Sequence, residues 1–183
     1  MSGLAKQIET YSTDYIDALP EEERVELIDG VIYNMASPSI QHQRAVGQLF
    51  NLISNHIRAN NGSCEPFIAP FAVRLNKDSH THVEPDISVI CDPSKLSDRG
   101  CEGAPDWVIE VVSPSSSRMD YLVKLFKYRT AGVREYWIVD TDENRIFVYN
   151  FEGDEDFQAY AFEDTIKAGI FEDLQIDFSQ INI

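Results

Sequence analysis

The sequence predicts a mixed α/β protein, in which helices flank a central β-sheet and an N-terminal helix and β-hairpin come first. The first observation is an apolar side chain at every third or fourth position from Val46 to Ile57, which is typical of a helix packed on a core. The second is a change of period after Glu65, where β-branched and aromatic runs indicate buried strands. The third is alternation of apolar and polar residues at 145–149 and 157–162, which favours an antiparallel end to the sheet.

Caps and breakers mark the ends of the helices. Ser37 followed by Pro38 predicts the start of the long helix, because proline fits the first helical position without losing a hydrogen bond. Asn61-Gly62 is expected to end it. The predicted helices run from Ser12 or Thr13 to Leu19 before Pro20, from Pro38 to Asn61, and from the end of the serine-rich loop 113–117 to Ala131 before Gly132.

Turn residues separate the predicted strands. Asp29-Gly30 supplies the positive backbone angles that a tight hairpin needs, so the runs on either side of it should pair. The predicted strands are 25–28, 31–35, 67–75, 87–91, 107–112, 135–139, 145–149 and 157–162.

Length and composition favour one soluble domain. The 183 residues, 43% of them hydrophobic, suffice for one buried core, so we expect a single domain over 1–183. It divides into the N-terminal helix and hairpin at 10–36, the core at 37–150 and an acidic C-terminal β extension at 151–183. No apolar run approaches the roughly 20 residues that span a bilayer, and residues 1–6 lack a signal-peptide pattern. We therefore expect a cytoplasmic protein.

The three cysteines predict reduced thiols. Cys64, Cys91 and Cys101 are odd in number and form no C-x-x-C pair, which argues against a disulfide framework or a cysteine zinc site.

The formal charge of −16 argues against a surface that coats nucleic acid, because nonspecific affinity comes mainly from lysine and arginine. Residues 151–183 alone carry nine acids and one lysine, which supply half of that charge. Five cations lie in one short stretch, so a phosphate-facing surface is expected there. They are Arg118, Lys124, Lys127, Arg129 and Arg134.

Two carboxylates in neighbouring predicted strands suggest a metal site. Glu110 lies within an apolar strand, where an unpaired charge would be costly, so a cation or hydrogen-bond donors should meet it. Asp86 begins the preceding strand and could complete the pair of carboxylates that Mg²⁺ commonly uses. A metal-activated water and the positive charge of Lys124 would then suit phosphodiester hydrolysis.

These residues resemble the PD-(D/E)XK nuclease superfamily, whose members have a restriction-endonuclease-like core. Pro85-Asp86 matches the first half of its motif and Glu110-Val111-Val112 the second, except that Val112 stands where the lysine is usual. Some members carry that lysine on the next helix, as Lys124 would be. More narrowly, the chain resembles the Uma-type family of bacterial endonuclease-like proteins over most of its length. The matching segments are ELIDG at 26–30, PSIQH at 38–42, PD at 85–86, EVVSPS at 110–115, Asp120 with Lys124, and GVREYWIVD at 132–140.

The resemblance implies a divalent metal and often a homodimer. We expect an Mg²⁺-dependent endonuclease that hydrolyses phosphodiester bonds of DNA, with Mn²⁺ as a substitute ion. Asp86 and Glu110 would hold the metal, and Lys124 and Glu26 would complete the catalytic set. We expect removal of the Lys124 side chain to abolish cleavage with folding nearly intact. Three further side chains are expected to support the site, namely His42, Asp120 and Tyr128. Two are expected to bind substrate, namely Arg118 and Lys127.

Plainer explanations exist for each of these residues. Asp120 and Lys124, four apart on a helix, could form an ordinary surface salt bridge, and Glu26 and His42 could be solvated polar residues. The chain could also be an interaction module that keeps the fold and the dimer but does not cut. A phosphatase or nucleotide hydrolase is disfavoured because no Gly-rich phosphate loop is present. The presence of all three residues, Asp86, Glu110 and Lys124, favours the enzyme, because an inactive homologue would be expected to have lost at least one of them.

Overall fold

The computed structural model describes residues 10–20, 23–76, 79–112, 119–153 and 157–182. The helices are α1 (Thr13–Asp17), α2 (Ile40–Ala59) and α3 (Leu125–Ala131), the last preceded by a π-helical segment at Met119–Lys124. The first seven strands are β1 (Val25–Ile28), β2 (Val31–Asn34), β3 (Glu65–Ile68), β4 (Val73–Arg74), β5 (Ile87–Ile90), β6 (Leu96–Ser97) and β7 (Gly100–Glu102). The remaining strands are β8 (Trp107–Val112), β9 (Glu135–Asp140), β10 (Arg145–Asn150), β11 (Phe157–Ala161), β12 (Thr165–Lys167) and β13 (Gln175–Asp177).

A six-stranded mixed sheet forms the centre of the molecule, in the order β11-β10-β9-β8-β5-β3. Only β8 and β9 run parallel, joined through the helical segment that ends in α3, whereas the other neighbours are antiparallel. This confirms the predicted mixed sheet with an antiparallel end. The strands β8 and β9 are buried on both faces, which explains why the sequence of each consists mainly of consecutive apolar residues.

The N-terminal hairpin forms as predicted. Asp29 and Gly30 both have positive φ, of 52° and 78°, which gives the tight turn between β1 and β2. Leu27 of β1 also exchanges main-chain hydrogen bonds with His82, at 2.7 Å each, so the hairpin is attached to the segment before β5. This attachment buries all four residues of β1.

The long helix begins later than predicted. Its N-cap is Ser39, whose hydroxyl accepts a hydrogen bond from the main-chain N–H of His42 at 3.1 Å. The prediction of Ser37 as the N-cap and Pro38 as the first helical residue was wrong. Ser39 caps the helix instead, because it lies three residues before His42, the usual spacing between an N-cap side chain and the main-chain N–H that donates to it. The predicted apolar stripe is confirmed, with Val46, Leu49, Ile53 and Ile57 buried and Phe50 packed beside them.

The predicted strand at 67–75 is broken in two. Pairing of β3 with β5 ends at Ile68, and the chain passes through Ala69 and a cis Pro70 before the short β4. Pro70 has no N–H to donate to a ladder, and the pairing with β5 ends two residues before it. The strand β4 instead joins a small sheet in the order β4-β7-β6.

The prediction of three reduced thiols was wrong for two of them. Cys64 and Cys91 form a disulfide, with their sulfurs 2.04 Å apart, and Cys101 is the free, buried cysteine. The register of the antiparallel pair explains the contact: Glu65 lies opposite Ile90, so the residues just outside, Cys64 and Cys91, face each other. Burial raises the pKa of the Cys101 thiol to about 11, which keeps it protonated at neutral pH.

Two hydrophobic cores cover the two faces of the sheet. The first contains α2, one face of each central strand and seven buried residues from the C-terminal segment: Phe162, Ile166, Ala168, Leu174, Ile176, Phe178 and Ile181. The second contains the other face of the strands and the aromatic rings of Tyr128 and Tyr136. The acidic C-terminal segment is therefore part of the main core, and the charged residues of the strands β12 and β13, Lys167 and Asp177, are exposed.

A buried carboxylate ties that C-terminal segment to the sheet. Glu135, at the start of β9, accepts hydrogen bonds from the main-chain N–H groups of Gly169 and Ile170 at 3.0 and 2.9 Å. The indole N–H of Trp137 donates to the same carboxylate at 2.6 Å.

Among the described helices, none has the length and apolar character required to cross a membrane.

Replacement of Ile176 by alanine tests whether the C-terminal segment contributes to the core. Ile176 is 1% exposed, so Ile176→Ala should lower the free energy of unfolding by about 2–5 kcal/mol through lost burial and a residual cavity. The neighbouring exposed Gln175 is the matched control, and Gln175→Ala should change stability by less than about 0.5 kcal/mol. Urea denaturation followed by circular dichroism measures both, and equal stabilities would contradict this role for the segment.

Candidate active site

The alternation of β8 directs Glu110 toward one side of the sheet. Its neighbours Ile109 and Val111 belong to the first core, whereas Val108 and Val112 belong to the second. Glu110 therefore projects into the second core, where it is 4% exposed. An ionised carboxylate at this depth needs close donors or cations.

Two side-chain donors meet Glu110 on the same oxygen. The ammonium of Lys124 lies 2.9 Å from Oε1, and the hydroxyl of Tyr128 donates to Oε1 at 2.7 Å. The second oxygen, Oε2, accepts only a long hydrogen bond of 3.4 Å, from the main-chain N–H of Asp86, among the described residues. One oxygen of Glu110 is thus saturated, and the other is turned toward Asp86.

Lys124 lies at the centre of three carboxylates. Its Nζ is 2.9 Å from Oε1 of Glu26, 2.9 Å from Oε1 of Glu110 and 3.5 Å from Oδ1 of Asp120. The side chains of this cluster are only 4–7% exposed. The interpretation of Asp120 and Lys124 as a surface pair does not fit this burial.

The helical segment that carries Lys124 is wound more widely than an α-helix at its start. Residues Met119–Lys124 form π-helical turns that continue as α3 from Leu125. Asp120, Lys124 and Tyr128 are all buried against the sheet, as their spacing of four predicted for one helix face. The hydroxyl of Tyr136 donates to the main-chain oxygen of Asp120 at 3.2 Å and helps to hold this segment. Wide turns of this kind are frequent at functional sites.

Burial and mutual charge shift the pKa values of the cluster. Burial raises the pKa of Glu110 well above its usual range; Lys124 lowers it in part, and the charges of Asp120, Asp86 and Glu26 raise it further. Burial alone would lower the pKa of Lys124, but Glu110, Glu26 and Asp120 outweigh it, so its pKa lies well above the ordinary value. Lys124 therefore remains a cation throughout the physiological range.

Asp86 lies beside Glu110 at the start of β5. Because Ile87 pairs with Ile109 in an antiparallel register, Asp86 falls opposite Glu110. Its Oδ2 accepts a hydrogen bond of 2.8 Å from the main-chain N–H of Val111 and lies 3.0 Å from Nε2 of His42. From the described residues, Oδ1 accepts no hydrogen bond.

The donor set fits a divalent cation, although no three acidic, histidine or cysteine side chains of the described residues converge as a ready metal cluster. Magnesium commonly takes only one or two carboxylates and fills its other positions with water and substrate phosphate. Asp86 and Glu110 each retain one oxygen without a strong donor. Three carboxylates, those of Glu26, Glu110 and Asp120, surround the ammonium of Lys124. Asp86 adds a fourth negative charge beside Glu110. This excess of negative charge would be reduced by a bound cation.

The two predicted substrate-binding residues are placed differently. The ammonium of Lys127 contacts the carboxylate of Asp29 in the hairpin turn, so its charge is already paired. Arg118 lies outside the described residues.

The sequence analysis did not identify Tyr136 or the main-chain N–H of Val111 as neighbours of the cluster. Tyr136 lies within the matching segment at 132–140, which was the available signal for it.

The burial of Lys124 changes what its removal should do. Lys124→Ala would leave three buried carboxylates without their ammonium, so we expect the free energy of unfolding at pH 7.5 to fall by about 3–5 kcal/mol. The expectation that folding would be nearly intact does not agree with this geometry. Lys127→Ala is the matched control, because its partner Asp29 has a side chain that is 64% exposed, and such a pair contributes at most about 1 kcal/mol. Urea denaturation compares the two, and equal losses would contradict the role given to the buried cluster.

Comparisons with known proteins identify the family. The sequence profile of the Uma2 family, described as "Putative restriction endonuclease", matches residues 11–179. "Uncharacterized protein slr1290" from Synechocystis sp. is 28% identical over 138 residues, which are 75% of this chain and 71% of that protein. The crystal structure of a "putative nuclease belonging to DUF820" from Anabaena variabilis has a TM-score of 0.76 at 22% identity and covers 93% of this chain and 96% of that chain. The chain therefore belongs to the Uma2 family of restriction-endonuclease-like proteins, and it has the mixed α/β fold of that structure.

Proposed function

We propose that the protein is an Mg²⁺-dependent endonuclease that hydrolyses phosphodiester bonds of DNA. The observation that carries the proposal is the placement of Asp86 and Glu110 on adjacent strands, each with one oxygen held by donors and one oxygen left for a cation. The proposal is also supported by the matching family, described as "Putative restriction endonuclease", and by the similar solved structure, described as a "putative nuclease". Mn²⁺ is expected to substitute for Mg²⁺, since both accept carboxylate and water ligands.

The residues of the site have distinct tasks in this reaction. Asp86 and Glu110 would hold the ion, which supplies a more acidic water and neutralises charge on the attacked phosphate. In the overall hydrolysis, a water would supply a hydroxyl group to phosphorus and a proton to the leaving sugar oxygen as the bond between that oxygen and phosphorus breaks. Lys124 keeps a positive charge next to the ligand Glu110, and Glu26 and Asp120 hold that charge in place.

The exposure of the site indicates from which side the phosphate approaches. The side chains of His42 and Asp86 are 15% and 17% exposed, whereas those around Lys124 are 4–7% exposed. Substrate would therefore reach the ion past Asp86 and the first turn of α2. Lys124 would act from behind the ligands, through Glu110, rather than from the open side.

A second candidate is an interaction module that keeps the fold, forms a homodimer and does not cut. It is favoured by two large apolar side chains on the outside of the helical segment, Leu122 and Phe126, which are both 62% exposed. These residues lie four apart and form one small apolar surface. The overall charge of −16 also opposes tight binding to DNA. Cleavage that depends on Asp86 and Glu110 would decide for the enzyme.

Incubation with supercoiled plasmid tests the proposal directly. The wild-type protein with Mg²⁺ or Mn²⁺ should convert the plasmid to nicked or linear forms, and a chelator should stop the conversion. Asp86→Asn and Glu110→Gln each remove a ligating charge with little change of shape, so the rate should fall by more than about 100-fold. Asp98→Asn, at an exposed carboxylate in the turn between β6 and β7, is the matched control and should cut at the wild-type rate.

Activity that survives in Asp86→Asn and Glu110→Gln would reveal a contaminating nuclease or a different site. Absence of cleavage by the wild-type protein, on supercoiled, linear and single-stranded DNA with either ion, would favour the interaction module. Light scattering of the wild-type protein and of Phe126→Ser would then show whether the apolar surface joins two copies.

A further inference from the structure

His42 makes a specific side-chain contact at the edge of the site. It lies in the first turn of α2, where its main-chain N–H is held by the hydroxyl of Ser39 at 3.1 Å. Its ring nitrogen Nε2 lies 3.0 Å from Oδ2 of Asp86. The helix α2 and the strand β5 are thus joined by a polar contact at the point where Asp86 begins the strand.

The chemistry of the two groups fixes the direction of this hydrogen bond. An ionised carboxylate can only accept, so Nε2 of His42 must carry the proton that it donates to Asp86. The other ring nitrogen, Nδ1, is buried and finds no hydrogen-bond partner in the described part of the chain. A buried nitrogen without a partner costs free energy, which a leucine or methionine at this position would avoid. The contact with Asp86 is therefore the one polar interaction of the ring among the described residues that can compensate for this cost.

We propose that His42 is a positioning residue that orients the carboxylate of Asp86 toward the metal. Its Nε2–H and the main-chain N–H of Val111 both donate to Oδ2, at 3.0 and 2.8 Å. Two donors on one oxygen oppose rotation of the carboxylate about its bond to Cβ. The oxygen that remains for the cation is then Oδ1. Carboxylates that ligate metals are commonly held by hydrogen bonds of this kind.

The carboxylate of Glu110 is held in the same way as that of Asp86, by two donors on one of its oxygens. Lys124 and Tyr128 both donate to Oε1 of Glu110, so the free oxygen is Oε2. Donors from the two helical layers therefore act on the two carboxylates: His42 of α2 on Asp86, and Lys124 and Tyr128 of the opposite layer on Glu110. Of these donors, His42 is the one whose removal leaves the buried cluster around Lys124 intact.

The inference rests on the proposed metal site, and its test measures metal affinity without substrate or cleavage. Calorimetric titration with Mn²⁺ would compare the wild-type protein with His42→Leu, which keeps bulk but cannot donate, and with His42→Gln, whose side-chain N–H can reach the same oxygen. We expect His42→Leu to weaken binding by about 10–100-fold and His42→Gln to recover most of the affinity. His56→Ala, at a half-buried histidine near the other end of the same helix, is the matched control and should bind as the wild type.

Asp86→Asn in the same titration separates the two claims. Loss of Mn²⁺ binding in Asp86→Asn with unchanged binding in His42→Leu would overturn the role of His42 and leave the metal site standing. Wild-type binding in Asp86→Asn would overturn the metal site itself. A His42→Gln protein that is folded, as its thermal unfolding shows, but as weak as His42→Leu would also overturn the inference, because a restored donor should act. If His42→Leu does not fold, His42→Ala takes its place in the comparison.

Discussion

The contact on which the structure depends is the buried ammonium of Lys124 among Glu26, Glu110 and Asp120. Each carboxylate comes from a different part of the chain: the N-terminal hairpin, the central strand β8 and the helical segment before α3. A buried charge that lost its partners would carry a desolvation cost of several kcal/mol. The ammonium of Lys124 therefore joins the hairpin, the sheet and the helical segment, in addition to the hydrophobic contacts between them.

This arrangement also separates the roles of the two faces of the sheet. On one face, the apolar stripe of α2 and the C-terminal segment make a core dominated by packed apolar and aromatic side chains. On the other face, polar groups are buried beside Val108 and Val112, and they are tolerated because hydrogen bonds and charges satisfy them. Asp86 stands at the strand start between these layers. It can therefore receive a donor from α2 while its main-chain N–H contacts Glu110.

Much of the fold could be predicted because it follows from period and turn chemistry. The hairpin at Asp29-Gly30, the apolar stripe of α2 and the strand at 107–112 each depend on residues adjacent in sequence. The errors arose where the outcome depends on partners distant in sequence. Pro70 interrupts an otherwise strand-like run, and the pairing of Cys64 with Cys91 depends on the register between β3 and β5. Counting cysteines carries no information about that register.

The candidate site was predictable as a set of residues but not as a geometry. Motif resemblance named Asp86, Glu110 and Lys124, and the structure brings them together with Glu26, His42, Asp120 and Tyr128. The burial of Lys124 could not be inferred, because Asp120 and Lys124 have the same spacing as an ordinary exposed pair. Lys127, three residues further along, has its charge paired with Asp29 in the hairpin turn. Whether a helical lysine points to the sheet or away from it depends on the winding of the segment, which begins with π turns in this protein.

The negative charge of the site and of the whole chain bears on how a nuclease of this composition would meet its substrate. Glu26, Asp86, Glu110 and Asp120 outnumber Lys124, and the chain carries −16 in total, so a phosphate approaching the metal-free protein meets repulsion. A divalent cation held by Asp86 and Glu110 would offset two of these negative charges and would present its own positive charge directly to the phosphate. In the proposed function, binding of the ion and binding of the phosphate are therefore coupled. Affinity for DNA would arise at the metal rather than from a basic surface, and long-range attraction to the duplex would be weak.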